Sequence, residues 1–156
     1  MKELMEYREK MLARLRESAA EFCETCRSFQ DPHANAEGGW TAHQIAFHVR
    51  DIEREVYGMR IRRALIEENP LFKNFDPDAW MAAHYNRDEP MQKILDEFWE
   101  GIRTIADQLR ESPQEVWSRM SRHEALGGEL TLQLWVERSL AHVEEHLTAL
   151  QKAQKQ

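Results

Sequence analysis

The chain has 156 residues, 42% of them hydrophobic, enough for one domain to bury a core without disulfide or metal staples. Its formal charge of −7 and the lack of a dense Lys/Arg run exclude nucleic acid or an anionic membrane as the main partner, since both need a concentrated positive surface. No apolar run approaches the ~18 residues of a membrane span, and the opening residues Met1 to Glu6 lack the apolar core of a signal peptide; a soluble, cytoplasmic protein is expected.

Leu4, Met11, Leu15, Ala19, Phe22, Cys26 and Phe29 recur at helical spacing and predict a long amphipathic helix over 4–29, stopped by Asp31-Pro32. Cys23 and Cys26, the only two cysteines, lie three apart within it. With no second Cys pair, core packing in a reducing compartment is the plainer reading beside a metal or redox role. A loop rich in Gly, Pro, Asn and Asp runs from Gln30 to Gly39. Thr41 and Gln44 then have the form of a capping box, and Trp40 and Ile45 stand where a hydrophobic staple would. The second helix carries Ile45, Val49, Ile52, Val56 and Met59 on its apolar stripe; His48 lies on that stripe, and His43 is turned towards solvent. Arg60, Arg62 and Arg63 are the strongest basic cluster in the chain, diluted by Glu67 and Glu68.

Asn69-Pro70 ends this helix, and the connection onward is longer than a tight bundle turn. Asp76-Pro77 reads as an N-cap followed by proline at the first helical position, opening a short helix to about His84. Beyond Asn86 to Pro90 a third long helix carries Met91, Leu95, Phe98, Ile102, Ile105 and Leu109. Ser112-Pro113-Gln114-Glu115 reads as a further capping box before a helical piece around Trp117; Gly127-Gly128 breaks the chain, and Thr131 caps the last helix. With no strand signal, no repeat and no low-complexity tract, the expectation is an all-α single domain over 1–156, a four-helix up-and-down bundle with a long crossover and short extra helices.

The last helix concentrates the chemistry. Leu132, Val136, Leu140, Val143, Leu147 and Leu150 form its apolar stripe, and the row Ser139, His142, His146, Ala149 runs along the edge of it. His142 and His146, four apart, leave the same face one turn apart, the spacing by which a helix chelates a metal. An i, i+4 pair also occurs on solvated faces, but His48 faces the core, and facing helices in a bundle lie ~8–10 Å apart, within reach of a shared ion. The plainer reading of His48 is a hydrogen-bonded core histidine.

The stretch Trp40-Thr41-Ala42-His43-Gln44-Ile45-Ala46-Phe47-His48-Val49 resembles the Trp-Ser…Leu-x-His-Leu opening of the second helix in the DinB/YfiT-like superfamily of proposed metalloenzymes. Thr131-Leu132 followed by His142-x-x-x-His146 resembles its last helix. The resemblance spans nearly the whole chain and implies a four-helix bundle with His48, His142 and His146 as metal ligands. It also implies frequent homodimers, and membership beside thiol-dependent transferases and isomerases that use a low-molecular-weight thiol. Val143 departs from the pattern, in which Glu often follows the first histidine of the pair.

Three neutral nitrogens suit zinc or nickel and leave positions for water and substrate; the cation would stabilise the deprotonated form of a water or thiol near neutral pH. His142-Val143-Glu144-Glu145-His146 also matches the H-x-x-E-H signature of inverzincin peptidases, but those are large α/β proteins and this chain is short and helical. Glu145 is a candidate general base, with a solvated glutamate as the plainer reading. Trp135, two turns before His142, Arg138, one turn before it, and His84 in the crossover are candidates for contact with a small-molecule substrate; for Arg138 a surface salt bridge is the plainer role. The expected function is a divalent-metal-dependent transferase or hydrolase acting on a small molecule. The alternative is a non-catalytic metal-binding or dimeric interaction protein, which should close its site with a fourth protein ligand.

Overall fold

The computed structural model describes residues 1–155. Helix α1 (Lys2–Arg27) is followed by a hairpin of β1 (Asn35–Glu37) and β2 (Trp40–Thr41), then α2 (Ala42–Ile52), a π-helical turn (Glu53–Tyr57) and α3 (Gly58–Ile66). Strand β3 (Leu71–Phe72) and α4 (Pro77–His84) make up the crossover to α5 (Met91–Glu111). A 3-10 turn (Gln114–Ser118), β4 (Met120–His123) and β5 (Gly127–Thr131) lead to α6 (Leu132–Gln154).

Four long helical segments, with α2 and α3 counted as one, form the bundle. α1 packs along α5 and α6, and the α2–α3 segment packs along the same two, so the first two helical segments stand diagonally across from each other, as do the last two, while α2–α3 and α5 are neighbours. This departs from the expected up-and-down order, in which consecutive helices are neighbours. The physical reason is the length of the connections: the hairpin between α1 and α2 and the β4–β5 ribbon between α5 and α6 are long enough to carry the chain diagonally across an end of the bundle. The apolar stripes meet as expected, with Leu15, Phe22, Ile45, Ile102, Val136 and Leu150 buried and Phe22 edge-on to Phe98 at 5.4 Å.

The second helix contains a feature with no sequence signal. The backbone N–H of Gly58 donates to the carbonyl of Glu53, five residues back, so one wide turn interrupts the α-helix. A wide turn absorbs one extra residue and rotates everything after it by ~100° relative to an unbroken helix. Met59, expected on the stripe, is half-buried, and Arg60, Ile61 and Ala64 take the inward positions instead. In an unbroken helix Arg60 would stand about 120° from His48 around the axis; with the wide turn the angle is about 20°.

Strands were not expected and five are present, each too short to show alternation. β1 and β2 pair antiparallel about Gly38 and Gly39, whose φ values of +54° and +86° are left-handed and favour glycine. β4 pairs parallel with β3 and antiparallel with β5. The caps follow the residues that announce them: Thr41 and Gln44 form a complete capping box, Asp76 accepts from the N–H groups of Asp78 and Ala79, and Thr131 accepts from Leu134. Ser112 is the exception. Its hydroxyl donates back to the Gln108 carbonyl rather than capping the 3-10 turn.

Candidate metal centre

His48 leaves α2 five residues before the start of the wide turn at Glu53, and His142 and His146 leave α6, which packs against α2. Nε2 of His48 lies 3.1 Å from Nε2 of His142, and one ring nitrogen from each of the three histidines lies within 4.8 Å of the others. Two bonds of ~2.0–2.1 Å to a common ion span at most ~4.2 Å, so the 3.1 Å pair is within chelating reach as it stands, and a separation at the 4.8 Å limit closes onto an ion with a movement of about 0.6 Å. Burial, and then the neighbouring His146, push His48 down to about 4 and His142 down to about 3, so both rings stay neutral, the form that ligates a metal. The donor set therefore fits a divalent ion. The site's third ring is oriented from outside: Nδ1 of His146 lies 3.1 Å from Oε2 of Glu37 on β1. As donor of that hydrogen bond Nδ1 carries the proton, which leaves the lone pair on Nε2.

The histidines open on a cavity of about 400 Å³. Ile52 and Val56 give it an apolar side, while Tyr57, Arg60, His123 and Glu145 bring polar groups. The Tyr57 ring sits 5.8 Å from that of His142, and burial raises its phenol above the ordinary value, so it remains a donor. Nδ1 of His123 accepts backbone N–H bonds from Ala125 and Leu126, which places the proton of the neutral ring on Nε2. Behind His142, Ser139 donates to Oε2 of Glu53 at 2.6 Å; Oε1 of Glu53 is buried with no partner, and burial raises this carboxyl to about 7.

Of the other residues singled out in the sequence, Glu145 is exposed and lines the cavity beside His142 and His146. Trp135 does not line it: the indole is fully buried and donates to the Ser121 hydroxyl at 2.8 Å. Arg138 is exposed outside the cavity, though near enough for its charge to act on Tyr57, Arg60 and His123. His84 is exposed and stacked on Trp80 at 3.7 Å, away from the cavity. His43, expected in solvent, is 2% exposed; its Nε2 donates to the Glu89 carbonyl and its Nδ1 accepts from the Tyr85 hydroxyl, which pins the end of the crossover. Cys23 and Cys26 are both buried free thiols, and burial raises Cys23 to about 11 and Cys26 further, which leaves them unreactive packing groups.

Glu37, Tyr57, Arg60 and His123 were not legible as site residues. Two sit on strands of three and four residues, and two owe their direction to the wide turn.

No family model matches the chain. A protein of Oceanobacillus iheyensis that carries the provisional name metal-dependent hydrolase is 36% identical over 58 residues, 37% of this chain. The chain covers only 33% of that relative's length. A second protein of that organism, named in the same provisional way, is 26% identical over 136 residues, 83% of this chain and 75% of its own length. Among solved structures, YfiT from Bacillus subtilis, described as a probable metal-dependent hydrolase with an unusual four-helix bundle topology, aligns with a TM-score of 0.86 at 21% identity. That alignment covers 96% of this chain and 87% of YfiT. The fold shared with YfiT and the likeness to the two sequence relatives together support a YfiT/DinB-like family for this chain.

Proposed function

We propose that this protein is a divalent-metal-dependent hydrolase of a small molecule, with His48, His142 and His146 as the ligands. The observation that carries the reading is three converging imidazoles beside a cavity, with no fourth His, Cys, Asp or Glu joining the cluster among the described residues. Structural sites are closed by four protein ligands, whereas catalytic ones keep a position free. A zinc or nickel ion held there would supply Lewis acidity and lower the pKa of a water. The chain's own residues divide the remaining work: Glu37 holds His146 in its ligating tautomer, Glu145 accepts a proton at the cavity rim, Tyr57 donates a hydrogen bond to substrate, and Ile52 and Val56 exclude water.

The test is metal analysis of protein purified without an affinity tag, followed by an ester and amide hydrolysis screen that includes thiol-acceptor pairs. About one equivalent of metal, lost in His48→Ala, and turnover that falls ~10²–10⁴-fold in Glu145→Gln are expected. Stoichiometric metal without turnover would instead make the site a non-catalytic one, and turnover only with thiol would make the protein a transferase. We further propose a cytoplasmic homodimer. In support, Ile66, Leu71 and Met120 are large apolar side chains left exposed, and no helix is long and apolar enough to cross a membrane. Light scattering from a monomer at high concentration would end the dimer reading.

A further inference from the structure

Arg60 is buried, 6% exposed, in the wall of the metal cavity. It has no carboxylate partner among the described residues: its Nε is buried without a hydrogen bond, and Nη2 makes only a long contact, 3.4 Å, with the Lys73 carbonyl. Its guanidinium carbon lies over aromatic rings, 4.7 Å from the centroid of Trp135 and 5.8 Å from that of Phe72. Arg50 shows what this chain does with a buried guanidinium of purely structural use. It is 4% exposed and bonds Asp51 at 2.7 Å and both oxygens of Glu89 at 2.6 and 2.8 Å. A buried cation without a counter-charge is costly to keep, and an arginine offers a rigid fork of donors matched to a carboxylate. His123 adds a neutral N–H donor to the same cavity, and the one carboxylate there, Glu145, is exposed and forms no ion pair with Arg60 within 4.0 Å. The wide turn at Glu53–Tyr57 is what brings Arg60 round to the face of His48.

We propose that Arg60, with His123 beside it, is an anion-recognition subsite, and that the substrate is an elongated small molecule bearing a carboxylate at the end remote from its reacting group. Twelve residues separate His48 from Arg60, or ~18 Å of helix rise, part of which the long arginine side chain covers, so the two ends of the molecule are separated by several bonds. One positive charge matches the single charge of a carboxylate. The assignment of the two ends rests on the metal reading; the anion subsite itself does not.

Calorimetric titration of hexanoate and of its neutral counterpart hexanamide tests the subsite, on zinc-loaded protein and on protein stripped by chelator. Wild type should bind hexanoate about tenfold or more tighter than hexanamide in both forms, the worth of one charge-assisted hydrogen-bonded contact. Arg60→Gln should reduce the ratio to within about twofold, with Arg60→Lys between the two and serving in its place if the glutamine variant fails to fold. A ratio unchanged in the variants, or no saturable hexanoate binding to wild type, overturns the proposal. A preference seen only with zinc and retained in the variants places the carboxylate on the ion, which overturns the subsite and supports the metal centre. Failure to bind zinc overturns the metal centre, and the stripped-protein comparison then still decides the role of Arg60.

Discussion

The N–H of Gly58 reaches the carbonyl of Glu53, and a side chain at position 58 would obstruct that bond. A Cβ built there lies 2.6 Å from the Glu53 carbonyl oxygen and 3.2 Å from Cδ1 of Ile105 on α5. Relief requires either strain in the wide turn or a return to a plain α-helix, and the second turns Arg60 out of the cavity. Gly58→Ala should therefore destabilise by about 1–3 kcal/mol in denaturant unfolding, despite alanine's higher helix propensity. A variant as stable as wild type would show that the wide turn is not held by this contact.

Glu37 and His146 make a second pair that can be broken alone. Removing the carboxylate frees the imidazole to rotate and to change tautomer, and such outer partners are worth roughly 10–100-fold in metal affinity. Glu37→Ala should weaken zinc binding by that factor while circular dichroism stays that of wild type, because Glu37 lies on a half-exposed three-residue strand outside the helices. Equal zinc affinities would reduce the contact to a surface ion pair.

What could be read in the sequence and what could not divide by physical range. The α6 stripe and the histidine row were legible because both obey one period over many residues, and the stripe residues Leu132 to Leu150 are all buried as that period requires. His48 was placed inward by the same logic, since it precedes the wide turn. Beyond Glu53 the period fails by one residue, so an unbroken stripe puts Met59 inward and leaves Arg60 only as a member of a basic cluster with Arg62 and Arg63. His43 was read as solvated from its own helix alone, but Tyr85 and Glu89, which cover it, arrive from the far end of the crossover. Glu37 was unreadable for a related reason: a two-stranded hairpin about two glycines carries no periodic signal, and only tertiary packing sets it against α6.

Glu53 provides a stability test with a defined sign. Burial raises its folded carboxyl to about 7, against ~4.3 in the unfolded chain. Between those values the unfolded state has lost the proton and the folded state has kept it, so this group makes stability fall as pH rises from ~4.3 to about 7. Glu53→Gln keeps the shape and removes the titration. The variant should gain stability relative to wild type as pH rises through that window, by roughly 1–3 kcal/mol in total, measured as the difference between two urea-unfolding series. A difference that is flat with pH would mean that Glu53 is ionised in the folded protein.

The three-histidine cluster makes the final prediction, one of energetics. His48 and His142 face each other in a desolvated site where each unpaired ring nitrogen costs ~1–3 kcal/mol, and a shared ion removes that cost. An ion at a thousand times its dissociation constant adds about 4 kcal/mol, so chelation at pH 7 should lower the melting temperature by about 10 °C. The folded rings at about 4 and about 3 take up protons later than a free imidazole at ~6.5, so these two rings release the ion only in stronger acid. The same depression has a cost in the stripped protein. Below pH ~6.5 the unfolded chain binds protons that His48 and His142 refuse when folded, so stripped protein should lose stability steadily from pH ~6.5 towards 4. The chelator effect should accordingly still be measurable at pH 5 and fade near pH 4. His48→Ala should abolish it at every pH and weaken zinc and nickel binding by more than ~100-fold, beyond the loss of an outer partner, with helical content nearly intact since four long stripes do not depend on one side chain. Wild type and His48→Ala binding both metals equally would make His48 a core histidine and leave the centre one ligand short.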